Sequence, residues 1–351
     1  MLLVLAAVAA PAAEARVIRT VAPADELVQG PVLAGARVAW EERSCGSPEG
    51  CDFSSARVRF RAAGPGGVRT LHIGRTKSLP GGSNSFQSSL SFDLSTRAFA
   101  LERSVLKTLS EQESSEQRLS VGGPGGGDLK RVLNCGREFG SSSFYDLDRE
   151  WLAYDPNPCD DIPRVAVRNV DIGETRTIDV GPAGETLSAI AVAGNLVAHA
   201  RGTTVAIHDH TTGAQVFSAA LPAGTLHAID LASDGSLAVS VGSELFGGRT
   251  CWRSELWLRT PGGAALEKQV AKPCRDARFT SNGIAYLTGK RKPLTLEHTD
   301  SDGDVSTIVR FGRRLAWEHF DAQGSRAAYG VTCRGRTLLR VVTLDRTHSA
   351  C

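Results

Sequence analysis

Three carboxylates at alternate positions are candidate metal ligands. Asp300, Asp302 and Asp304 lie in the segment TDSDGDV, around Gly303. Oxygen ligands at the first, third and fifth positions of a loop converge on a hard cation such as calcium. The sequence has no Glu at the twelfth position of such a loop, and the same residues favour a tight hairpin turn. The segment is therefore a turn or a calcium site, and we expect no other cofactor.

Two histidines flank an aspartate in the segment AIHDHTT. On an extended strand His208 and His210 would point to the same side, which is how a transition-metal site can begin. No third ligand is evident nearby, so the sequence favours a structural role for both.

The sequence lacks the motifs by which common hydrolases are recognised. It contains no G-x-S-x-G and no H-E-x-x-H segment. The run GGPGGG at 122–127 is not followed by the Lys-Ser/Thr pair of a phosphate-binding loop, so it is predicted to be a turn. We therefore expect a protein that is not an enzyme.

Composition excludes several classes of protein. Of 351 residues, 41% are hydrophobic and 22% are charged, which suits a folded core rather than a disordered chain. Forty basic and 38 acidic residues give a formal charge of +2, so no global field attracts nucleic acid. No apolar run reaches the roughly 20 residues of a membrane span.

The N-terminal residues predict export. Residues 2–13 are apolar and end at Ala13-Glu14-Ala15, a small-x-small cleavage pattern, although no basic residue precedes them. We expect residues 1–15 to be a signal peptide and 16–351 to be one domain, secreted or in the periplasm or cell envelope. Eight cysteines without a C-x-x-C spacing agree with an oxidising compartment and disulfides.

An internal repeat runs along the whole chain. Six hairpins with glycine at the turn recur at intervals of 40 to 60 residues, with turn glycines at Gly66, Gly126, Gly173, Gly213, Gly262 and Gly303. Seven further strand pairs alternate with these hairpins, and their second strands carry a small residue beside a bulky one. These pairs are Ala39-Trp40, Ala98-Phe99, Ala153-Tyr154, Ala198-His199, Ala238-Val239, Ala285-Tyr286 and Ala328-Tyr329.

This pattern predicts an all-β fold, a seven-bladed β-propeller of four-stranded antiparallel blades. The seventh unit supplies only three strands, ending at 337–345, so residues 16–21 are expected to complete it and close the ring. Residues 104–117 are the only candidate helix, with a polar loop as the alternative.

The first-hairpin phrases LASDGSLAVS and FDAQGSRAAYG resemble the repeats of TolB-like and WD40-like bacterial propellers. No intact Pro-Asp-Gly core and no Gly-His…Trp-Asp signature is present. The resemblance supports a fold rather than a function.

With strands named A to D from the centre outward, the B–C and D–A connections of a propeller share one face. This placement predicts the disulfides Cys135–Cys159 and Cys251–Cys274, and Cys45 with Cys51 is a local pair. Cys333 then pairs with Cys351, or alternatively with Cys45.

Charges on that face are predicted to be uneven. Acidic residues, among them Glu41, Glu42 and Asp155, follow the B strands of blades 1–3. Blades 6 and 7 carry basic candidates for partner binding, namely Lys290, Arg291, Lys292, Arg313 and Arg314.

We therefore expect an extracytoplasmic, non-enzymatic module that binds or scaffolds a protein partner through this face. The alternative is a hydrolase or lyase at the central channel. Convergent titratable side chains with shifted pKa values in an axial pocket would favour the enzyme, and an apolar channel would favour the binding module.

Overall fold

Alternating apolar residues and short glycine-bearing turns make this chain almost entirely β-structure. The computed structural model describes residues 16–21, 25–44, 57–75, 77–78, 84–109, 112–137, 144–156, 162–182, 185, 187–242, 254–269, 273–289, 294–312 and 315–351. Within these ranges the strands form seven sheets. The first strand, β1 (Arg16–Val21), belongs to the last sheet along the chain.

Each sheet is one blade, and the first three blades follow one another along the chain. Blade 1 contains β2 (Asp25–Ala34), β3 (Arg37–Ser44), β4 (Arg57–Gly64) and β5 (Gly67–Arg75). Blade 2 contains β6 (Lys77–Ser78), β7 (Asn84–Leu94), β8 (Phe99–Leu109), β9 (Gln112–Gly122) and β10 (Lys130–Arg137). Blade 3 contains β11 (Tyr145–Asp148), β12 (Trp151–Tyr154), β13 (Arg164–Asn169) and β14 (Thr175–Asp179).

The remaining four sheets continue the same order. Blade 4 contains β15 (Leu187–Ala193), β16 (Leu196–Arg201), β17 (Thr204–Asp209) and β18 (Gln215–Ala220). Blade 5 contains β19 (Thr225–Leu231), β20 (Leu237–Gly242), β21 (Glu255–Arg259) and β22 (Glu267–Lys268). Blade 6 contains β23 (Pro273–Thr280), β24 (Gly283–Thr288), β25 (Leu294–Asp300), β26 (Val305–Gly312) and β30 (His348–Ser349). Blade 7 contains β27 (Leu315–Gln323), β28 (Arg326–Cys333), β29 (Arg336–Thr343) and β1.

The innermost strands of neighbouring blades contact one another around a ring, from β2 through β7, β11, β15, β19 and β23 to β27 and back to β2. This arrangement confirms the predicted seven-bladed propeller. Strand β1 pairs antiparallel with β29, with Arg16 opposite Val341 and Val21 opposite Thr337. The predicted closure by residues 16–21 is therefore also confirmed, and it covers an edge that β29 would otherwise expose.

The hydrophobic core lies between blades rather than within them. Seven apolar clusters are described, one at each interface between neighbouring blades. The cluster that joins blade 7 to blade 1, for example, packs Trp40 against Ala328 and Leu339. A small residue facing a bulky one lets two twisted sheets approach closely near the axis, where space is narrowest.

Three local predictions need correction. Residues 104–117 form neither a helix nor a loop along their described length, because β8 and β9 continue as a long hairpin in which Val105 lies opposite Glu116. Blade 2 carries its equivalent small–bulky pair at Ala100-Leu101, since Ala100 takes the register position held by Ala39 in blade 1. The left-handed turn glycine of blade 1 is Gly67 rather than Gly66.

The sequence leaves the partner of Cys333 open between Cys351 and Cys45, and the C-terminal segment decides it. After β29 the chain returns as β30, which runs parallel to β26 on the outer side of blade 6. This return places Cys351 beside Cys333, and the two form a disulfide with a Cα–Cα distance of 5.8 Å. The chain reaches Cys333 along the neighbouring blade and does not need to cross β29.

Other predictions on the chain lie outside what the structure describes. They concern residues 1–15, Cys45, Cys51, Cys159 and Cys251, and the side chains of Cys135 and Cys274. Along the described chain no helix is long and apolar enough to cross a membrane.

Candidate functional site

One position on the innermost strands lies opposite the small alanine of the second strand in every blade. The seven residues at this position are Val32, Asp93, Asp146, Ala191, Asp230, Arg278 and Asp321. Four carboxylates and one guanidinium are thus placed at equivalent heights around the axis. The ring geometry brings them together although they are far apart in sequence.

Three of these aspartates bind the backbone of the next blade. Oδ2 of Asp146 accepts a hydrogen bond from the backbone N–H of Val192 at 2.6 Å. Asp230 receives the N–H of Phe279 at 2.6 Å, and Asp321 receives the N–H of Leu33 at 2.5 Å. The innermost strands that supply these N–H groups are sheet edges, and an N–H that faces away from its own sheet has no strand partner. The carboxylates therefore accept hydrogen bonds from N–H groups that would otherwise be unpaired.

Asp93 makes a different contact. Its Oδ1 accepts the backbone N–H of Leu94, its own neighbour in sequence, at 2.7 Å. On the same side of the ring Ser91 donates to Glu102 Oε2 at 2.8 Å, and the Tyr145 hydroxyl lies 2.9 Å from Ser91 Oγ. Because the one serine proton is used for Glu102, Tyr145 donates to Ser91. A continuous hydrogen-bonded chain therefore joins blades 2 and 3.

The strands enclose an axial cavity of 610 Å³. Six acidic residues and two arginines line it, namely Asp93, Glu102, Asp146, Asp148, Asp230, Asp321, Arg149 and Arg278. Its lining extends to Arg149, Ser233 and Gln323, which are exposed residues in or beside the turns between A and B strands. The described part of the cavity is thus open at the A–B end of the ring.

Arg278, the cation on the inner ring, contacts only two of the four aspartates. Arg278 lies 3.6 Å from Asp230 Oδ1 and 3.5 Å from Asp321 Oδ1. Within the described chain no cationic side chain lies within 4.0 Å of the carboxylates of Asp93 or Asp146. Burial dominates the pKa of Asp93 and Asp146, and Arg278 acts on both from beyond this distance. The cavity therefore has one side, at blades 5 to 7, where carboxylates contact the central cation, and an acidic side at blades 2 and 3 where they do not.

Burial raises the pKa of all four aspartates. The pKa of Asp230 rises to about 7 and that of Asp321 to about 6, because burial outweighs the favourable charge of Arg278. Solvent in the cavity still reaches 22% of the Asp230 side chain and 17% of Asp321.

On the acidic side, burial raises the pKa of Asp146, and burial together with the Asp146 charge raises that of Asp93 well above its usual range. Burial and then the charge of Glu102 raise the pKa of the Tyr145 phenol, so it stays protonated.

The residues of this ring were not among the predicted site residues. A signal was present, because an aspartate stands seven or eight residues before the alanine of the second strand in four repeats, as in FDLSTRAFA and FDAQGSRAA. These aspartates resemble ordinary turn-flanking residues until the register places them on one axis.

The predicted calcium ligands form a turn in the structure. Asp300 Oδ1 accepts the backbone N–H groups of Asp302 at 3.0 Å and Asp304 at 2.9 Å. The carboxylate thus caps the hairpin between β25 and β26. In the described ranges no three His, Cys, Asp or Glu side chains are grouped as metal ligands.

The predicted charged face is described only in part. Lys290, Arg291, Lys292, Arg313 and Arg314 lie outside the described residues. Glu41 and Glu42 do not belong to an exposed loop, because β3 extends through them and both are 0% exposed. Arg43 Nε binds Glu41 Oε1 at 2.6 Å, and burial raises the pKa of Glu41 despite that contact.

The predicted histidine pair is arranged differently from the expectation. His210 lies past the end of β17, where its ring packs 4.5 Å from that of Trp151 and its Nε2 lies 3.0 Å from the Gly194 carbonyl. His208 instead neighbours His199 on the adjacent strand, with ring centroids 5.2 Å apart.

Fold and cavity together define a seven-bladed β-propeller with an acidic axial site. No protein-family model and no curated protein sequence matches the chain. Among solved structures, a prolyl endopeptidase is 11% identical over 93% of this chain and 48% of its own, with a TM-score of 0.56. This chain thus spans about half the length of that enzyme.

Two further solved structures are also similar. The WD40 domain of coronin from Toxoplasma gondii is 11% identical over 93% of this chain and 84% of its own, with a TM-score of 0.49. U3-55K is 11% identical over 83% of this chain and 92% of its own, with a TM-score of 0.47. At such identities these likenesses concern the fold alone, and a specific relation to TolB stays a prediction.

Proposed function

We propose that this propeller is a binding module that accepts a cationic side chain of a protein partner in its axial cavity. The observation that carries the proposal is the charge imbalance of the lining, six acidic residues against two arginines. A guanidinium or ammonium group that enters this cavity exchanges water for several oriented carboxylates.

The acidic side at Asp93 and Asp146 is the best place for the incoming group. Arg278 already lies between Asp230 and Asp321, at 3.6 Å and 3.5 Å, so those two carboxylates have a cation. Among the described residues no cationic side chain lies within 4.0 Å of the Asp93 or Asp146 carboxylate, and burial raises the pKa of each although Arg278 acts on both at longer range. A bound cation would lower both pKa values, so binding should release protons and strengthen as the pH rises.

Three of the carboxylates have a structural reason to converge that does not require catalysis. Asp146, Asp230 and Asp321 each accept a backbone N–H of the next blade, which explains their convergence by the need to satisfy the inner strand edges.

The described cavity opens at the A–B turns, opposite the B–C and D–A loops that the sequence suggested for partner binding. Binding through those loops stays a separate prediction. An extracytoplasmic location is part of the proposal, and the disulfide between Cys333 and Cys351 supports it.

The test is a titration with N-acetyl-arginine amide and N-acetyl-lysine amide, followed by NMR. The backbone amides of Leu94 and Val192 report directly, because each donates to a carboxylate of the acidic side. Both signals should shift on titration, and affinity should increase several-fold between pH 6 and pH 8. N-acetyl-glutamate amide is the charge-reversed control.

Two variants separate specific binding from general charge attraction. Asp93→Asn keeps an oxygen for the Leu94 N–H but removes the charge, so affinity should fall at least about tenfold. Asp179→Asn removes a carboxylate that is 76% exposed on an outer strand and should leave affinity unchanged. Equal affinities in all three proteins, or no shift at Leu94 and Val192, would show that the axial cavity is not the site.

A hydrolase or lyase is the second candidate, and one observation favours it. The cavity brings together titratable side chains with raised pKa values, including neighbouring carboxyls and the protonated Tyr145. Mass spectrometry of the same amides after prolonged incubation distinguishes the two functions. A binding module returns them intact, whereas products that form with wild type and not with Asp93→Asn would identify an enzyme.

A further inference from the structure

One arginine at the open end of the axial cavity occupies a backbone position that other blades give to glycine. In blade 3 the two-residue turn that follows Asp148 begins with Arg149, whose φ is +50°. The same turn position holds Gly35 in blade 1, Gly194 in blade 4 and Gly324 in blade 7, with φ between +56° and +61°. A β-carbon makes this left-handed conformation less favourable, so an arginine at this position requires an explanation.

Arg149 lies at the entrance to the acidic side of the cavity. It lines the cavity together with Asp93 and Asp146. Ser95 Oγ of blade 2 donates a hydrogen bond to the Arg149 backbone carbonyl, which holds this turn against the neighbouring blade of the acidic side. The residue is exposed, and within the described chain its guanidinium forms no ion pair, unlike that of Arg278. The second cation of the cavity is therefore available to an anionic group of a ligand.

The distance from the acidic side to this arginine suits the length of one basic amino acid. Asp146 and Arg149 are three residues apart at the end of β11, which is at most about 10 Å along the chain. In an extended arginine, six bonds separate the guanidinium carbon from the α-carboxylate carbon, a distance of about 7–8 Å. An arginine whose guanidinium contacts Asp93 and Asp146 would thus place its own α-carboxylate at the entrance, where the Arg149 side chain can contact it.

We propose that the cationic side chain bound by this cavity belongs to the C-terminal residue of the partner, and that Arg149 binds the terminal carboxylate. This inference rests on the proposed function and names the kind of partner, a peptide chain that ends in a basic residue. A guanidinium and a carboxylate form paired, charge-assisted hydrogen bonds, which fix the orientation of the chain end. An internal basic residue has an uncharged amide in place of this carboxylate and leaves Arg149 without an anion.

The test compares N-acetyl-arginine with N-acetyl-arginine amide, which differ only in the group that Arg149 would bind. Each is titrated into the full protein and followed by NMR at the Leu94 and Val192 amides. Wild type should bind the acid about two- to fivefold more tightly than the amide, the range of an exposed ion pair. The Arg149 Nε–H signal should shift with the acid and not with the amide.

Substitutions at this position isolate the carboxylate contact. Arg149→Gln removes the charge and keeps a side chain of similar length at the exposed turn, so acid and amide should bind equally. Arg149→Lys keeps the charge and should retain most of the preference for the acid. Arg176→Gln is the matched control, because Arg176 is 49% exposed on the outer strand of the same blade, and it should bind both ligands as wild type does.

The outcomes separate this inference from the proposed function. If neither ligand shifts the Leu94 and Val192 signals, the axial cavity is not the site and both proposals fail. If the amide shifts these signals but the acid binds no more tightly, the cavity accepts a basic side chain and the inference about Arg149 is wrong. A preference for the acid that persists unchanged in Arg149→Gln would overturn the inference in the same way.

Discussion

Oδ2 of Asp146 in blade 3 accepts a 2.6 Å hydrogen bond from the backbone N–H of Val192 in blade 4. Two residues further along the same strands, Asp148 Oδ2 accepts the N–H of Gly194 at 2.9 Å. The blade 7–blade 1 interface repeats this double contact, where Asp321 and Gln323 accept the N–H groups of Leu33 and Gly35. Side-chain oxygens thus join the inner edges of neighbouring blades much as strands join within a sheet.

The first prediction concerns this contact. Asp146→Ala should lower the free energy of unfolding by about 1–3 kcal/mol, because the Val192 N–H loses its acceptor inside the protein. Asp146→Asn keeps an oxygen at the same place and should cost less. Urea unfolding measures both. Asp179→Ala removes an exposed ion pair with Arg164 and should change stability by less than about 1 kcal/mol. If Asp146→Ala costs no more than this control, the contact does not stabilise the ring.

The second prediction is a pH dependence caused by Asp230. Its pKa is about 7 in the folded protein and its ordinary value is 3.8, so the folded state holds the proton more tightly. The contribution of this proton to the free energy of unfolding is therefore complete below about pH 4 and is lost as the pH rises toward 7. The groups that face it are Arg278, Asp146, Asp321 and the Phe279 N–H.

Asp230→Asn removes this titration and keeps an acceptor for Phe279. The stability of wild type relative to Asp230→Asn should fall by about 1–2 kcal/mol between pH 5 and pH 8. Urea unfolding at several pH values gives the difference directly, and titrating groups that do not interact with Asp230 cancel from it. A difference that stays constant across this range would contradict the raised pKa.

The third prediction concerns the disulfide at the C-terminus. The bond joins residues 18 positions apart and ties β30 to the end of β28. Replacing both cysteines in Cys333→Ser/Cys351→Ser should lower stability by about 2–4 kcal/mol. Thermal unfolding of the double variant, with and without reductant, separates this bond from any other disulfide. An unchanged Tm in the variant without reductant would show that the bond does not constrain the chain.

The fourth prediction compares two glycines in turns. Gly283 has φ +129°, and an added Cβ would lie 2.0 Å from the Thr299 carbonyl oxygen, inside the β24–β25 pair. Gly262 has φ +71° with open space around it. Gly262→Ala should cost about 1 kcal/mol from backbone conformation alone, whereas Gly283→Ala should cost several times more or prevent folding. Similar unfolding midpoints for the two variants would argue against the close approach at Gly283.

Local patterns predicted much of the fold because strand alternation and turn glycines act over a few residues. The segment FDAQGSRAAYGV, for instance, gives the β27–β28 hairpin with Asp321 opposite Ala328. The same local reasoning was wrong at residues 104–117, where cross-strand pairing of Val105 with Glu116 overrides a mixed polar sequence. It was also wrong for Glu41 and Glu42, whose charges are buried beside arginines rather than displayed on a loop.

Sequence alone determined the number of blades and the closing strand, since each repeat carries its own alternation of apolar and polar residues and its own turn residues. It did not determine the site. Asp93, Asp146, Asp230 and Asp321 come from four repeats, and only the ring places them around one axis together with Arg278. The pKa values of these carboxyls depend on the water and charge that remain around the axis after the blades close. The contact between the His199 and His208 rings has the same origin, because the two side chains become neighbours only once β16 and β17 are paired.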